Sequence, residues 1–310
     1  MDSLKKWLVA LDLTDHDKSI LKYTKLLSDV LHPDHIEFVF ISHRLADAVH
    51  IHLPQKFRYP AYDDLFEKLN REVNEYFTEE DPVSCEVTDG PVQFDLWKET
   101  YVKDIDLFIA GSKPRHQGMG LFPRKFVRKS FCSVLLVPEV NTEKISKIWV
   151  PVDFSEQSGE ALNLALRMSQ EIEPNAEVCA HHVYQLPHGY YYEDFPRDEI
   201  INAVRLAAND EFDVFAQKYN SNHIPLSSSF TELIKPYAAN SIKHEAEAAE
   251  VDLIMMAGGG RSRFSNLFLG SETEELVQLK TKVPLLILKK KSEHVKLWDL
   301  YAVCTKQYSI

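Results

Sequence analysis

The sequence predicts an α/β protein of two tandem domains, each with a five-stranded, parallel, doubly wound sheet. Three observations lead to this prediction: the length of the chain, an internal repeat, and an alternation of apolar strands with helical patterns that occurs twice. With 310 residues and 45% hydrophobic content, the chain can bury two cores of ordinary size. Strands that alternate with helices along the chain pair in parallel, because each helix forms a crossover connection to the next strand. The helices then cover both faces of the sheet.

The repeat is clearest at the first strand of each half. KKWLVALDLTDHD at 5–17 aligns with SKIWVPVDFSEQS at 146–158, and this alignment superimposes Asp12 on Asp153. Repeats are sought first because a missed repeat misassigns the whole fold. The order of the later elements agrees with the alignment, so the chain is predicted to contain two copies of one unit.

Both copies approach and complete their last two strands in the same way. The fourth strand is predicted in DIDLFIAG at 104–111 and in EVDLIMMAG at 250–258. The fifth strand is predicted in SVLLV at 133–137 and in PLLIL at 284–288. Continuous apolar runs of this kind are typical of strands buried on both faces. We expect a first domain at 1–140, a second at 145–290 and a C-terminal tail at 291–310.

Apolar spacing near 3.6 residues predicts the helices of the second copy. The clearest patterns cover Gly159–Ile172 and Ile200–Tyr219. The two fifth strands would be exposed apolar edges if they were left alone, which predicts an intramolecular pseudo-dimer in which they pair. Further homo-oligomerisation stays open.

Composition argues against two classes of partner. The formal net charge is −12, and no basic stripe could neutralise a run of phosphates, so a nucleic-acid-binding role is not expected. No apolar run approaches the roughly 18 residues of a membrane helix, and the start of the chain lacks a signal-peptide pattern. The four cysteines lie singly and are predicted to be buried thiols, which favours the cytoplasm.

The loop after the fourth strand of the second copy is the strongest candidate site. From Ala257 it reads AGGGRSRFSNLFLGSETEEL, with Gly270 and Ser271 just before a helical pattern. Glycines let backbone amides close on an anion, and a helix N-terminus attracts one. Arg261 adds a charged donor. The alternative is a tight strand-to-helix turn without a ligand.

This loop resembles the signature of the universal stress protein family, which is glycine, two residues, glycine, nine residues, glycine, then serine or threonine. Gly260 and Gly270 match the last two glycines, and Ala257 stands at the first. The strand IWVPVDFSEQSGEALNLAL, the segment HVYQLP and the closing VPLLIL are also similar to that family. The resemblance covers 146–290 and, more weakly, 4–138.

The resemblance implies an adenine nucleotide site and its residues. The family's nucleotide-binding members hold adenine and ribose at the end of strand one, flank the base with a strand-two valine, and hold phosphates in the glycine loop. The ligand that the resemblance implies is ATP or a related adenine nucleotide, with Mg²⁺. Carried over to this sequence, the site consists of Pro151, Val152, Asp153, Val183, Met256, Ala257, Gly258, Gly260, Arg261, Gly270, Ser271, Glu272 and Thr273. Glu272 does not suit an anion-binding loop, because its carboxylate is negatively charged. Its side chain is expected to point outward.

The first copy is predicted to be degenerate for triphosphate. Its loop reads GSKPRHQGMGLFPRKF from Gly111, with Pro114 where the second glycine should stand and Leu121 in place of the capping hydroxyl. Proline has no amide hydrogen and fixes its own φ, so the anion cradle is incomplete.

Three functions follow as hypotheses. The leading one is a cytoplasmic stress-response regulatory protein that binds an adenine nucleotide in its second domain. The second is an enzyme that hydrolyses ATP slowly or phosphorylates itself on Ser271 or Thr273. Fast catalysis is not expected, because only Glu272 and Glu274 near the loop could act as a general base. No catalytic residue is assigned. The third is a structural adaptor that holds an apolar ligand.

Overall fold

The fold is described from a computed structural model of the protein. It describes residues 4–42, 62–89, 96, 99–112, 126–128, 130–187, 196–220, 222–234, 237–258 and 271–289.

Each half of the chain alternates strands with helices. The first half contains β1 (Lys6–Leu11), α1 (Asp17–Leu31), β2 (His35–Ser42), α2 (Tyr62–Asn74), β3 (Val83–Asp89), β4 (Leu107–Gly111) and β5 (Ser133–Val137). The second half contains β6 (Lys147–Pro151), α3 (Glu156–Glu171), β7 (Glu177–Tyr184), α4 (Arg197–Tyr219), β8 (Leu226–Glu232), α5 (Ala238–Ala248), β9 (Leu253–Ala257), α6 (Ser271–Leu279) and β10 (Leu285–Leu288).

The ten strands form one sheet in the order β3-β2-β1-β4-β5-β10-β9-β6-β7-β8. All pairs within a half are parallel, and β5 and β10 are antiparallel to each other. Each half therefore has the same strand order on its own side of the β5–β10 junction. The predicted fold class, two five-stranded parallel doubly wound units, is confirmed.

Two hydrophobic clusters lie on opposite faces of this sheet. One contains the buried faces of α1, α2, α3 and α4, and the other contains those of α5 and α6. Strands such as β5 and β9 are buried along their whole length, since helices pack on both of their faces. None of the helices in the described ranges is long and apolar enough to span a membrane.

Two helices of the second half, α3 and α4, begin earlier than their apolar spacing predicts. α3 begins at Glu156, because the side chain of Ser155 accepts a hydrogen bond from the Ser158 amide and caps the helix there. α4 begins at Arg197. The first turn of each helix is polar, so an apolar period cannot reveal it.

Equivalent aspartates fix the start of the first strand in both halves. Asp106 Oδ2 accepts hydrogen bonds from the amides of Lys5 (3.0 Å) and Lys6 (2.9 Å). Asp252 Oδ2 accepts from the amides of Ser146 (2.7 Å) and Lys147 (3.0 Å). The repeated aspartate before the fourth strand thus has a structural role, which is to satisfy amides at the edge of the neighbouring strand.

Lys289 ties the end of β10 to the first half of the chain. Its ammonium donates to the carbonyls of Val127 and Ser130, and its amide donates to Ser133 Oγ at 3.2 Å. Burial lowers the pKa of Lys289 to about 8, with Cys132 acting in the opposite direction. The contact joins elements that are more than 150 residues apart in sequence.

Candidate functional site

A cavity of about 200 Å³ opens at the carboxyl ends of β6, β7 and β9. Helices α5 and α6 close it on one side. Ligands of open parallel sheets bind beyond the carboxyl ends of the strands, at the point where the winding changes direction. Its lining residues are Pro151, Val152, Asp153, Ser158, His181, His182, Val183, Ala238, Ile242, Met256, Ala257, Ser271, Glu272 and Thr273.

Nine of the thirteen residues predicted for the site line this cavity. They are Pro151, Val152, Asp153, Val183, Met256, Ala257, Ser271, Glu272 and Thr273. Gly258 follows directly at the end of β9 and is buried. The other three, Gly260, Arg261 and Gly270, lie outside the described residues.

Asp153 occupies the turn between β6 and α3. Its Oδ1 accepts hydrogen bonds from both the amide and the hydroxyl of Ser155, at 3.1 and 2.5 Å. Phe154, next along the turn, has a φ of +60° and stacks on the His182 ring at a centroid distance of 4.3 Å. Ser155, the cap of α3, therefore helps to hold this carboxylate in place.

The histidine pair before Val183 divides between the two faces of the sheet. His182 Nδ1 lies 2.9 Å from the Val152 carbonyl oxygen. His181 is 1% exposed, and its Nε2 lies 3.2 Å from Thr231 Oγ1. Burial, with a smaller contribution from His182, lowers the pKa of His181 to about 4. His181 is thus a neutral, buried side chain in the cavity wall rather than a solvated one.

The first turn of α6 provides the polar wall of the cavity. Ser271 is exposed and is the first described residue of the helix. Thr273 is buried, and its hydroxyl donates to the Ala257 carbonyl at 3.2 Å. Of the two hydroxyls considered as phosphate acceptors, only that of Ser271 is exposed.

Glu272 does not point outward as expected. It lines the cavity, and its Oε2 accepts a hydrogen bond of 2.9 Å from the amide of Ala239. Ala239 lies in the first turn of α5, where amides have no partner within their own helix and a carboxylate is stabilised by the helix dipole. The neighbouring helix, which is 33 residues earlier in the chain, therefore sets the direction of this side chain.

Five lining residues were not among those predicted: Ser158, His181, His182, Ala238 and Ile242. The two histidines adjoin the predicted Val183, so the alternation of side chains along a strand could have indicated that one of them shares its face. Ala238 and Ile242 belong to α5, and no local pattern shows where that helix packs.

Comparison with known proteins identifies the domain that holds this cavity. The model of the universal stress protein family matches residues 144–289. This match covers 146 of the chain's 310 residues and includes every residue that lines the cavity. No curated protein sequence matches the chain.

The tandem arrangement also occurs among solved structures. A universal stress protein from Archaeoglobus fulgidus DSM 4304 is 14% identical, with a TM-score of 0.61, over 94% of this chain and 98% of its own. A functionally unknown protein from Pseudomonas aeruginosa PAO1 is 15% identical, with a TM-score of 0.60, over 98% of this chain and 96% of its own. At these low identities, the similarity shows that this chain shares its fold with these proteins over nearly its whole length.

The family includes a member solved with an adenine nucleotide. That universal stress protein, in complex with cAMP, matches 47% of this chain and 98% of its own at 17% identity and a TM-score of 0.31. A match this low carries no argument about the ligand of the present chain.

The first half differs from the universal stress protein domain at the equivalent sheet end. His16, buried, places its ring beside Gly111, where an added Cβ would lie 3.0 Å from Cε1. Its Nε2 lies 3.0 Å from the Val137 carbonyl oxygen. The amides of Asp12 and Leu13 donate to Oδ2 of Asp17, the first residue of α1, at 3.0 and 2.6 Å. In the first half, the His16 ring therefore fills space at this sheet end, and Asp17 already accepts the hydrogen bonds of two backbone amides.

A metal site is not evident in the described part of the chain. No group of three or more histidine, cysteine, aspartate or glutamate side chains there is placed to hold a metal ion.

Proposed function

We propose that the chain is a cytoplasmic stress-response regulatory protein that binds ATP or a related adenine nucleotide in its second domain, residues 145–290. The observation that carries the proposal is the convergence of nine predicted residues on one cavity. These residues come from three separate strands and a helix, so their meeting does not follow from proximity in sequence.

The two ends of the cavity have different chemistry. Pro151, Val152, Val183 and Met256 offer apolar surface for a flat base, and Ser271 begins a helix whose N-terminal amides favour an anion. A volume of about 200 Å³ lies below the roughly 300–1,000 Å³ of pockets for drug-sized ligands. The described cavity therefore suits the nucleoside part, and phosphates would extend beyond the first residue of α6.

Glu272 favours binding over hydrolysis in this proposal. A general base must reach the attacking water with an oxygen that is able to take its proton. One oxygen of the Glu272 carboxylate accepts a hydrogen bond from the Ala239 amide at 2.9 Å, which directs this side chain toward α5. The proposed role is a nucleotide-dependent regulatory module, with slow hydrolysis or self-phosphorylation as the alternative.

The proposal includes an intramolecular pseudo-dimer and a reducing compartment. Pairing of β5 with β10 supports the first, since it brings both halves into one sheet. The described cysteines Cys85, Cys132 and Cys179 are free thiols, which supports the second.

Calorimetric titration of the full chain with ATP and with adenosine tests the function. Asp153→Ala is expected to weaken both ligands by about 1–3 kcal/mol, as for a lost charged hydrogen bond. Asp12→Ala, at the equivalent position of the first half, is the matched control and should leave both affinities unchanged.

Gly270→Val tests the phosphate end separately. A β-branched side chain blocks close approach and tolerates positive φ poorly, so ATP binding should be lost while circular dichroism shows a native fold. Full ATP affinity in a folded Gly270→Val variant would show that the loop is only a turn. Mass spectrometry of ligand released from purified protein would then decide whether an apolar molecule occupies the cavity.

A further inference from the structure

Lys289, the residue after β10, contacts both halves of the chain. Its stem lies against Gly258, the residue after β9, because a Cβ added to Gly258 would lie 2.9 Å from Lys289 Cγ. Its ammonium donates to the carbonyls of Val127 and Ser130, the latter at 2.8 Å, in the first half. One side chain therefore connects the end of a strand that lines the cavity to the other half of the sheet.

Along the strands, Lys289 lies at the level of the first turn of α6. Leu288 is the register partner of Ala257. The hydroxyl of Thr273, in the first turn of α6, donates to the Ala257 carbonyl at 3.2 Å. Because Lys289 directly follows Leu288, it lies at the end of the cavity where the phosphates of a nucleotide are proposed to extend.

Lys289 also lies on the face of the sheet that α5 and α6 cover. Side chains alternate between the two faces along a strand. Leu286 and Leu288 belong to the cluster under α1 to α4, whereas Ile287 belongs to the cluster under α5 and α6. An added Cβ on Gly258 would approach Ile287 Cγ2 at 3.2 Å as well as Lys289. The charge of Lys289 is therefore on the same side of the sheet as α6.

The charge of Lys289 depends on pH in an accessible range. Burial lowers the pKa of its ammonium to about 8, and the Cys132 thiol acts in the opposite direction. The other described contacts of the side chain are uncharged, namely two backbone carbonyls and Gly258, and Arg128 of the neighbouring first-half segment is exposed. Near pH 8, charged and neutral forms of Lys289 therefore coexist, and a nearby anion favours the charged form.

We propose that the protonated form of Lys289 stabilises a phosphate group at the first turn of α6, so that nucleotide binding and the contacts of Lys289 with the first half are linked. This inference rests on the proposed function, because it requires a nucleotide in the cavity. It deepens that function by naming a regulation of the site. The anion favours the ammonium, and only the ammonium, with all its N–H donors, holds both carbonyls of the first half. Linkage is reciprocal, so loss of the ammonium weakens binding of the anion by the same factor.

The test compares ATP with adenosine, which has no phosphate. Titration calorimetry of the full chain at about pH 7 and at about pH 9 brackets the pKa of Lys289. ATP affinity is expected to fall about two- to fivefold from the lower to the higher pH, because the ammonium is lost. Adenosine affinity should stay constant, since adenosine has no charge for the ammonium to stabilise.

Variants assign the effect to this amine. Lys289→Met keeps an unbranched stem but removes the charge, so the fall in ATP affinity should disappear. Lys289→Arg remains charged at both pH values, so ATP affinity should again be independent of pH and should exceed that of Lys289→Met. Lys282→Met, on an exposed lysine just before β10, is the matched control and should keep the fall. Cys132→Ser should keep it too, which excludes the thiol as its source.

Each outcome decides a different claim. A fall that persists in a folded Lys289→Met variant, or an equal fall for adenosine, overturns the inference and leaves the nucleotide site intact. Failure of the unmodified chain to bind ATP at either pH overturns the proposed function itself. If Lys289→Met does not fold, calorimetry of the unmodified chain at about pH 8 in buffers of different ionisation enthalpy decides: ATP binding must take up protons, and zero uptake overturns the inference.

Discussion

The junction between the two halves predicts a measurable coupling between Leu135 and Leu286. These residues are register partners where β5 pairs antiparallel with β10. Both are 0% exposed and both belong to the same hydrophobic cluster. The perturbation is a double-mutant cycle of Leu135→Ala and Leu286→Ala, which isolates the energy of their contact from the cost of each truncation.

The structure sets the expected magnitudes. Truncation of a fully buried leucine to alanine costs about 2–5 kcal/mol, so each single variant should lose that much in free energy of unfolding. Contacting residues couple by about 0.5–3 kcal/mol, and a cross-strand pair by itself contributes about 0.2–1 kcal/mol. We expect a coupling of about 1 kcal/mol, with the double variant losing less than the sum of the singles, because the first truncation already removes the shared contact.

Urea denaturation followed by circular dichroism and by tryptophan fluorescence supplies the free energies, provided that the two transitions coincide. Val9→Ala is the control for additivity. Val9 is also 0% exposed and lies in the same cluster, but β4 and β5 separate its strand from β10. Three strand spacings amount to about 14 Å, beyond the distance at which pairs usually couple. A Leu135–Leu286 coupling no larger than that of Val9 with Leu286 would refute the junction.

Three further predictions concern the candidate site and its supports. Glu272→Gln removes a negative charge while an amide oxygen can still accept from α5, so ATP affinity measured by calorimetry should rise several-fold, whereas Glu275→Gln on the same helix should change it less; equal effects would contradict this account. Lys289 has a pKa of about 8 in the folded chain against 10.5 when unfolded, so the unfolded chain binds more protons between these values and the free energy of unfolding should rise with pH across that window. That rise should be absent in Lys289→Met, and its persistence would assign it to another group. Asp252→Ala leaves two strand-edge amides without their acceptor, so the melting temperature should fall by several degrees, and an unchanged melting temperature would show that water replaces the carboxylate.

Much of the fold could be predicted because its signals are local. Apolar strands of four to eight residues, the repeat that superimposes Asp12 on Asp153, and the glycine-rich run after Ala257 are visible without tertiary contacts. The carboxyl ends of parallel strands meet at one edge, so Asp153, Val183 and Met256 could be expected at the same place before any coordinate was known.

The direction of individual side chains was not predictable in this way. Glu272 turns to the amide of Ala239 because α5 presents an unpaired helix N-terminus beside it. His181 and the neighbouring Val183 both line the cavity, but only the packing of the covering helices makes the former a buried, neutral group. Lys289 reaches the carbonyls of Val127 and Ser130, which belong to the other half of the chain.

The sequence by itself determined the class of fold, the duplication and the strand ends at which a ligand could bind, since periodicity, repeats and glycine spacing are properties of short segments. Only the tertiary structure decided which polar groups at those ends are already satisfied by other elements and which remain for a ligand. The physical reason is that hydrogen bonds such as that of Glu272 to Ala239 join residues far apart in the chain, and their partners are set by how helices pack on the sheet.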